Sequence, residues 1–169
     1  MIYTQVLNRG GKGVKSPVDD MNTVVAILGD FDATFPDLKG LPHDADRVPG
    51  RDLANVVASC LRQGGLAIVG PECEEPFFAV RCGSGREQVK VLCYIYKPKA
   101  GVWVVEAGWR QRVLDRLRGR GKPQGLNAVL ASLHEGLMRE PRVREMRWFA
   151  KLPADPFGEV EFRLGPFSN

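Results

Sequence analysis

The sequence predicts an α+β domain: an antiparallel sheet of about four strands carrying one long amphipathic helix and one or two shorter helices. Three observations lead there. The chain has 169 residues, 44% apolar and 26% charged, which suits one ordinary globular core. Its middle third holds successive stretches rich in Val, Ile and aromatic residues, separated by the short loops Gly83-Ser84-Gly85 and Pro98-Lys99-Ala100-Gly101, so antiparallel neighbours are expected. Beyond Pro123, Leu126, Val129, Leu130, Leu133 and Leu137 recur at the spacing that lines one face of a helix.

The elements follow in order. Residues 1–20 contain Arg9-Gly10-Gly11-Lys12-Gly13 and Ser16-Pro17 with little to bury, and they read as a flexible tail dispensable for folding. Residues 23–28 are β-branched and apolar; they read as a buried strand, with a helix the alternative at this length. Residues 29–50 mix aspartates with Pro36, Pro42 and Pro49, the chemistry of a loop. A helix starts at Gly50 or Arg51, where Asp52 complements its positive end. It presents Leu53, Val56, Val57, Cys60 and Leu61 on one side, and Gly64-Gly65 stops it. Strands are expected at 77–82, 89–96 and 102–107, then a short helix over 109–119 with Val113, Leu114 and Leu117 opposite its arginines. The long helix ends before Pro141, a last strand spans 145–150, and residues 152–169 read as a loosely ordered C-terminal segment. The domain itself covers 21–151.

Composition narrows the functional classes. No apolar run nears the roughly 18–20 residues that span a bilayer, and no signal-peptide pattern opens the chain, so a cytoplasmic protein without a membrane partner is expected. Cys60, Cys73, Cys82 and Cys93 form no C-x-x-C pair and read as reduced, mostly buried thiols, with no metal and no cofactor expected. The formal charge is +4. It is concentrated where Arg110, Arg112, Arg116, Arg118, Arg120 and Lys122 face only Asp115, a segment that can attract an acidic protein surface or nucleic acid. The same segment also reads as a solvated helix face.

Several motifs invite chemistry. Asp30-Phe31-Asp32-Ala33-Thr34 follows an apolar run, the arrangement in which one carboxylate attacks phosphorus and a second moves a proton. That chemistry needs a lysine, for which Lys90, Lys97 or Lys99 would serve, and a closing acidic pair, which the sequence does not supply; the segment reads as an acidic loop. His43, Asp44 and Asp46 with Asp30 and Asp32 offer oxygens to a divalent cation, but isolated carboxylates in a proline-rich loop read as solvated. Gly10 to Ser16 misses the phosphate-loop spacing. His134 has no Ser or Cys partner to make a hydrolytic site and is placed at a helix boundary. Trp103, Trp109, Trp148, Tyr94, Tyr96 and Phe149 are read mainly as core.

Two resemblances cover different parts of the chain. Residues 2–20, from Ile2-Tyr3-Thr4 to Ser16-Pro17-Val18-Asp19-Asp20, resemble the extreme C-terminus of tyrosine site-specific recombinases of the integron-integrase kind. The resemblance aligns Tyr3 with the nucleophile of that family and Gln5 with a usual histidine. The arginines that stabilise the transferred phosphate precede the tyrosine there, so no strand-transfer activity is expected here. Residues 1–20 then read as the scar of a gene junction, with Met21 as an alternative start. Residues 21–150 resemble small uncharacterised bacterial proteins through Pro49 to Ala54, Leu133-His134 with Leu137, and Arg147-Trp148-Phe149, in a layout similar to that of immunity proteins. The function expected is recognition of a macromolecular partner without catalysis; the alternative is a remnant of a DNA-integration protein lacking its catalytic core.

Overall fold

The computed structural model describes residues 23–32, 49–74, 76–83, 88–109 and 125–167. Their elements run β1 (Val24–Gly29), α1 (Arg51–Gln63), β2 (Ile68–Glu74), β3 (Phe77–Cys82), β4 (Val89–Lys97), a 3-10 turn (Pro98–Ala100), β5 (Val102–Trp109), α2 (Leu126–Arg139) and β6 (Val143–Phe149). The strands form one sheet in the order β2-β3-β4-β5-β1-β6, and every pairing is antiparallel.

The sheet therefore has six strands rather than about four. The strand that adds most to the expectation is β2, whose Gly70 and Pro71 break the register between Val69 and Glu72. Such residues are tolerated on an edge, where the ladder is paired on one side only. The apolar run near the N-terminus is a strand, and it lies inside the sheet, between β5 and β6. Val25 and Ile27 are buried toward one face and Val24 and Ala26 toward the other, so the run needs no polar alternation. Trp109 is the last residue of β5 rather than the first of a helix, and the rest of the expected 109–119 helix lies outside the described residues.

Both helices cover one face of the sheet. Leu53, Ala54, Val57, Ala58 and Leu61 from α1 and Leu126, Val129, Leu130, Leu133 and Leu137 from α2 share a core with Phe78, Val91, Trp103 and Trp148. The apolar spacing of each helix thus becomes its buried stripe. Gly50 precedes α1 with φ of 102°, a left-handed conformation that favours glycine. A Cβ there would also lie 3.2 Å from the Trp103 ring. Asp52 then accepts the Leu53 N–H through Oδ1 at 2.7 Å.

The opposite face has a smaller core of Val24, Ala26, Val104 and Phe149, against which Leu152, Phe157 and Val160 pack. Residues 150–167 carry no helix or strand, yet they lie across this face by specific contacts. Arg147 sits against the rings of Phe157 and Phe162 and donates from Nη1 to the Gly158 carbonyl at 3.1 Å. Its Nε donates to Glu145 at 2.6 Å. Lys97 pairs with Asp155 at 2.9 Å.

Candidate functional site

Two grooves flank the C-terminal half of α2. The first, about 550 Å³, lies between α1 and the α2–β6 turn and is lined by Asp52, Ser59, Cys60, Gln63, Glu140 and Arg142 among others. Its charges compensate one another. Arg142 pairs with Glu140 at 2.6 Å and with Asp52 at 3.4 Å, and Arg139 lies 3.6 Å from Glu135. The Arg142 guanidinium, chiefly through its hydrogen bond, holds the Glu140 carboxyl below the usual carboxylate range. Asp52 Oδ2 also accepts the Asp32 N–H at 2.9 Å. The first groove is therefore a seam joining the exit of β1, the start of α1 and the entry to β6.

The second groove, about 460 Å³, lies between α2 and β6 and is closed on one side by the C-terminal segment. Its walls include His134, Leu137, Met138, Met146 and Leu164. Met138 and Leu164 are 67% and 75% exposed, so two large apolar side chains stand in water beside one depression. His134 is half-buried, its ring tilted against Trp148 with centroids 6.1 Å apart. Its Nδ1 is enclosed and has no hydrogen-bond partner among the described residues.

β6 forms the edge of the sheet beside this groove. Trp148 turns its backbone away from β1: its N–H donates to the Arg163 carbonyl at 2.9 Å and its carbonyl accepts the Arg163 N–H at 3.0 Å. Strand alternation then places the N–H and C=O of Met146 on the same outward side.

The residues singled out from the sequence are dispersed. Asp30 is exposed and pairs with Arg144 at 3.0 Å. Asp32 is held through its main chain at Asp52. Lys90 pairs with Glu74 and Lys97 with Asp155, while Lys99 is exposed in the 3-10 turn, so these contacts do not gather a phosphotransfer site around Asp30. Among the described residues no group of three or more His, Cys, Asp or Glu comes together as for a metal. Tyr3, His43, Asp44, Asp46, Arg110, Arg112, Arg116, Arg118, Arg120 and Lys122 lie outside the described residues. Trp103, Trp148 and Phe149 are core, at 0%, 0% and 5% exposure. Tyr94 and Tyr96 are half-buried at the margin of the smaller core. The Arg-Trp-Phe segment is thereby explained by structure alone: Arg147 holds the C-terminal segment, Trp148 fills the helix-side core and Phe149 the opposite one.

Cys60, Cys82 and Cys93 are buried free thiols. Burial pushes the Cys82 thiol up to about 11 and the Cys93 thiol far above its ordinary value. Burial, then the nearby charge of Glu140, raises Cys60. Since the thiolate is the reactive form, a disulfide reagent at mildly alkaline pH should label half-buried Cys73 first and the other three slowly. All four should react alike in guanidinium. Labelling of Cys82 or Cys93 as fast as Cys73 would contradict the packing.

The sequence did not announce the α2–β6 groove. Met138 adjoins the buried stripe at Leu137, and Leu164 falls in the segment expected to be loose; neither carries a periodic signal. Comparison with known proteins gives no match, whether to a protein-family model, a curated protein or a solved structure. No helix among the described residues is long and apolar enough to cross a membrane.

Proposed function

We propose that this chain is a non-catalytic recognition module that binds another protein through the groove between α2, β6 and the C-terminal segment. The observation that carries the reading is the pairing of exposed Met138 and Leu164 at one groove beside the edge strand β6. Leaving such side chains in water forgoes about 25 cal/mol for each Å² of apolar surface that a partner would cover, and methionine adapts to varied partner shapes. Immunity-like binding in the cytoplasm agrees with the α+β layout, which several unrelated functions share.

Site-specific photo-crosslinking in the source cell tests the proposal. A photoreactive residue at Leu164 or Met138 should yield a discrete heavier adduct, and the same residue at exposed Lys99 should not. Absence of an adduct, or equal adducts from all three positions, would overturn it. So would an adduct of twice the 18.7 kDa chain mass, which would make the contact self-association.

A further inference from the structure

We infer that the partner is bound as an extended strand added to the free edge of β6 at Met146, with an apolar side chain seated in the adjoining groove. This rests on the protein-recognition reading above and specifies its mode.

The edge itself indicates the occupant. Met146 lies opposite Ile27 of β1, at a position whose N–H and C=O point away from β1, because the neighbouring outward position, Trp148, spends both groups on Arg163. The chain's own Arg163 thus already lays one antiparallel bridge on this edge. The bridge is a single one: residues 164–167 are bends and turns rather than strand, and Pro166 has no N–H to donate. No backbone bond to the outward groups of Met146 is formed by the described residues. An extended peptide continuing the line that Arg163 begins supplies the missing donor and acceptor, which is the recognition mode of strand addition.

The other edge of the sheet is differently made. In β2 the register is broken at Gly70 and Pro71, and Glu72 and Glu74 pair with Arg81 of β3, devices that blunt an edge. The charged residues of β6 are engaged elsewhere: Arg144 with Asp30, and Arg147 with Glu145 and the C-terminal segment. What the edge offers is backbone at Met146 and the apolar walls of Leu137, Met138 and Leu164. Side chains of an added strand alternate between the faces, so those on the helix side enter the groove. The ligand is therefore an extended segment with an apolar residue on the groove side and a residue other than proline opposite Met146.

The test pans a displayed heptapeptide library on the full chain and compares enriched peptides across variants by fluorescence anisotropy. Met146→Pro removes the outward N–H without taking a ladder bond from β1, a substitution that an edge strand tolerates. Met146→Ala keeps the N–H. Binding should fall about tenfold or more for Met146→Pro and for Leu164→Asp, and stay within about threefold for Met146→Ala. Hydrogen exchange at the Met146 amide should slow in the complex with wild-type protein, which decides the matter if the proline variant fails to fold. Failure to enrich any peptide, equal binding by Met146→Pro, or unchanged exchange at Met146 would overturn strand addition. If the Leu164 crosslink in cells survives Met146→Pro, the recognition reading stands and strand addition falls. If that crosslink never forms, both fall.

Discussion

Trp103→Ala should lower stability by about 3–5 kcal/mol, as truncation of a large buried aromatic does through lost transfer energy and the cavity left behind. Trp103 is wholly buried in β5, with Ile95 of β4 and Ile27 of β1 as its lateral neighbours. Phe31 meets it edge-on with ring centroids 5.9 Å apart, and Gly50 lies close enough that a Cβ there would come within 3.2 Å of the ring. The side chain thus touches the sheet centre, the exit of β1 and the entry to α1, so no single element can collapse into the space it leaves. A domain of this size holds about 5–15 kcal/mol in total, and the urea midpoint should fall steeply with little change in slope. Trp103→Phe should be milder, because the indole Nε1 has no hydrogen-bond partner among the described residues to lose. A loss below about 1 kcal/mol for the alanine variant would show that Trp103 does not anchor the core.

Gly136→Ala is the second large effect, and its sign opposes helix propensity. Alanine in place of glycine within a helix ordinarily gains about 1 kcal/mol. Here the added Cβ would lie 2.3 Å from Cys60 Sγ, 2.4 Å from Cys60 Cβ and 3.2 Å from Cys60 Cα. These atoms belong to the buried side of α1 rather than to the far end of a flexible chain, so α1 and α2 must separate. Overpacking of this kind typically costs about 1–3 kcal/mol, enough to reverse the propensity gain. Cys60→Ala should not rescue the variant, because the Cβ contact remains after the sulfur is gone; Cys60→Gly should rescue part of it. Thermal melts of the four proteins check this, and a Gly136→Ala protein more stable than wild type would refute the close approach of the helices.

Most of the scaffold was legible where local pattern and tertiary need coincide. Strand β3 and helices α1 and α2 fall where β-branched runs and the Leu133-centred stripe put them, because burial of one face imposes its period on the sequence. β2 was not legible. An edge strand with Gly70, Pro71, Glu72 and Glu74 lacks both alternation and propensity, and only its pairing with β3 makes it a strand. The same reason hid the place of β1: an uninterrupted apolar run states that it is buried, not which strands flank it. The α2–β6 groove was illegible because Met138, Met146 and Leu164 come from separate segments that only the tertiary fold brings together.

The position of β1 also has a kinetic consequence. Its Val24 pairs with Glu106 on one side and Phe149 on the other, so this early strand waits for β5 and β6 to be made. During synthesis the β2–β5 meander can zip through short hairpins as it emerges, while β1 stays without a lateral partner until residues beyond 100 have left the ribosome. Closing such long loops before any contact rewards them is entropically slow. The most apolar strand of the sheet is therefore the one exposed longest, and it is the segment for which a holding chaperone or early aggregation would compete.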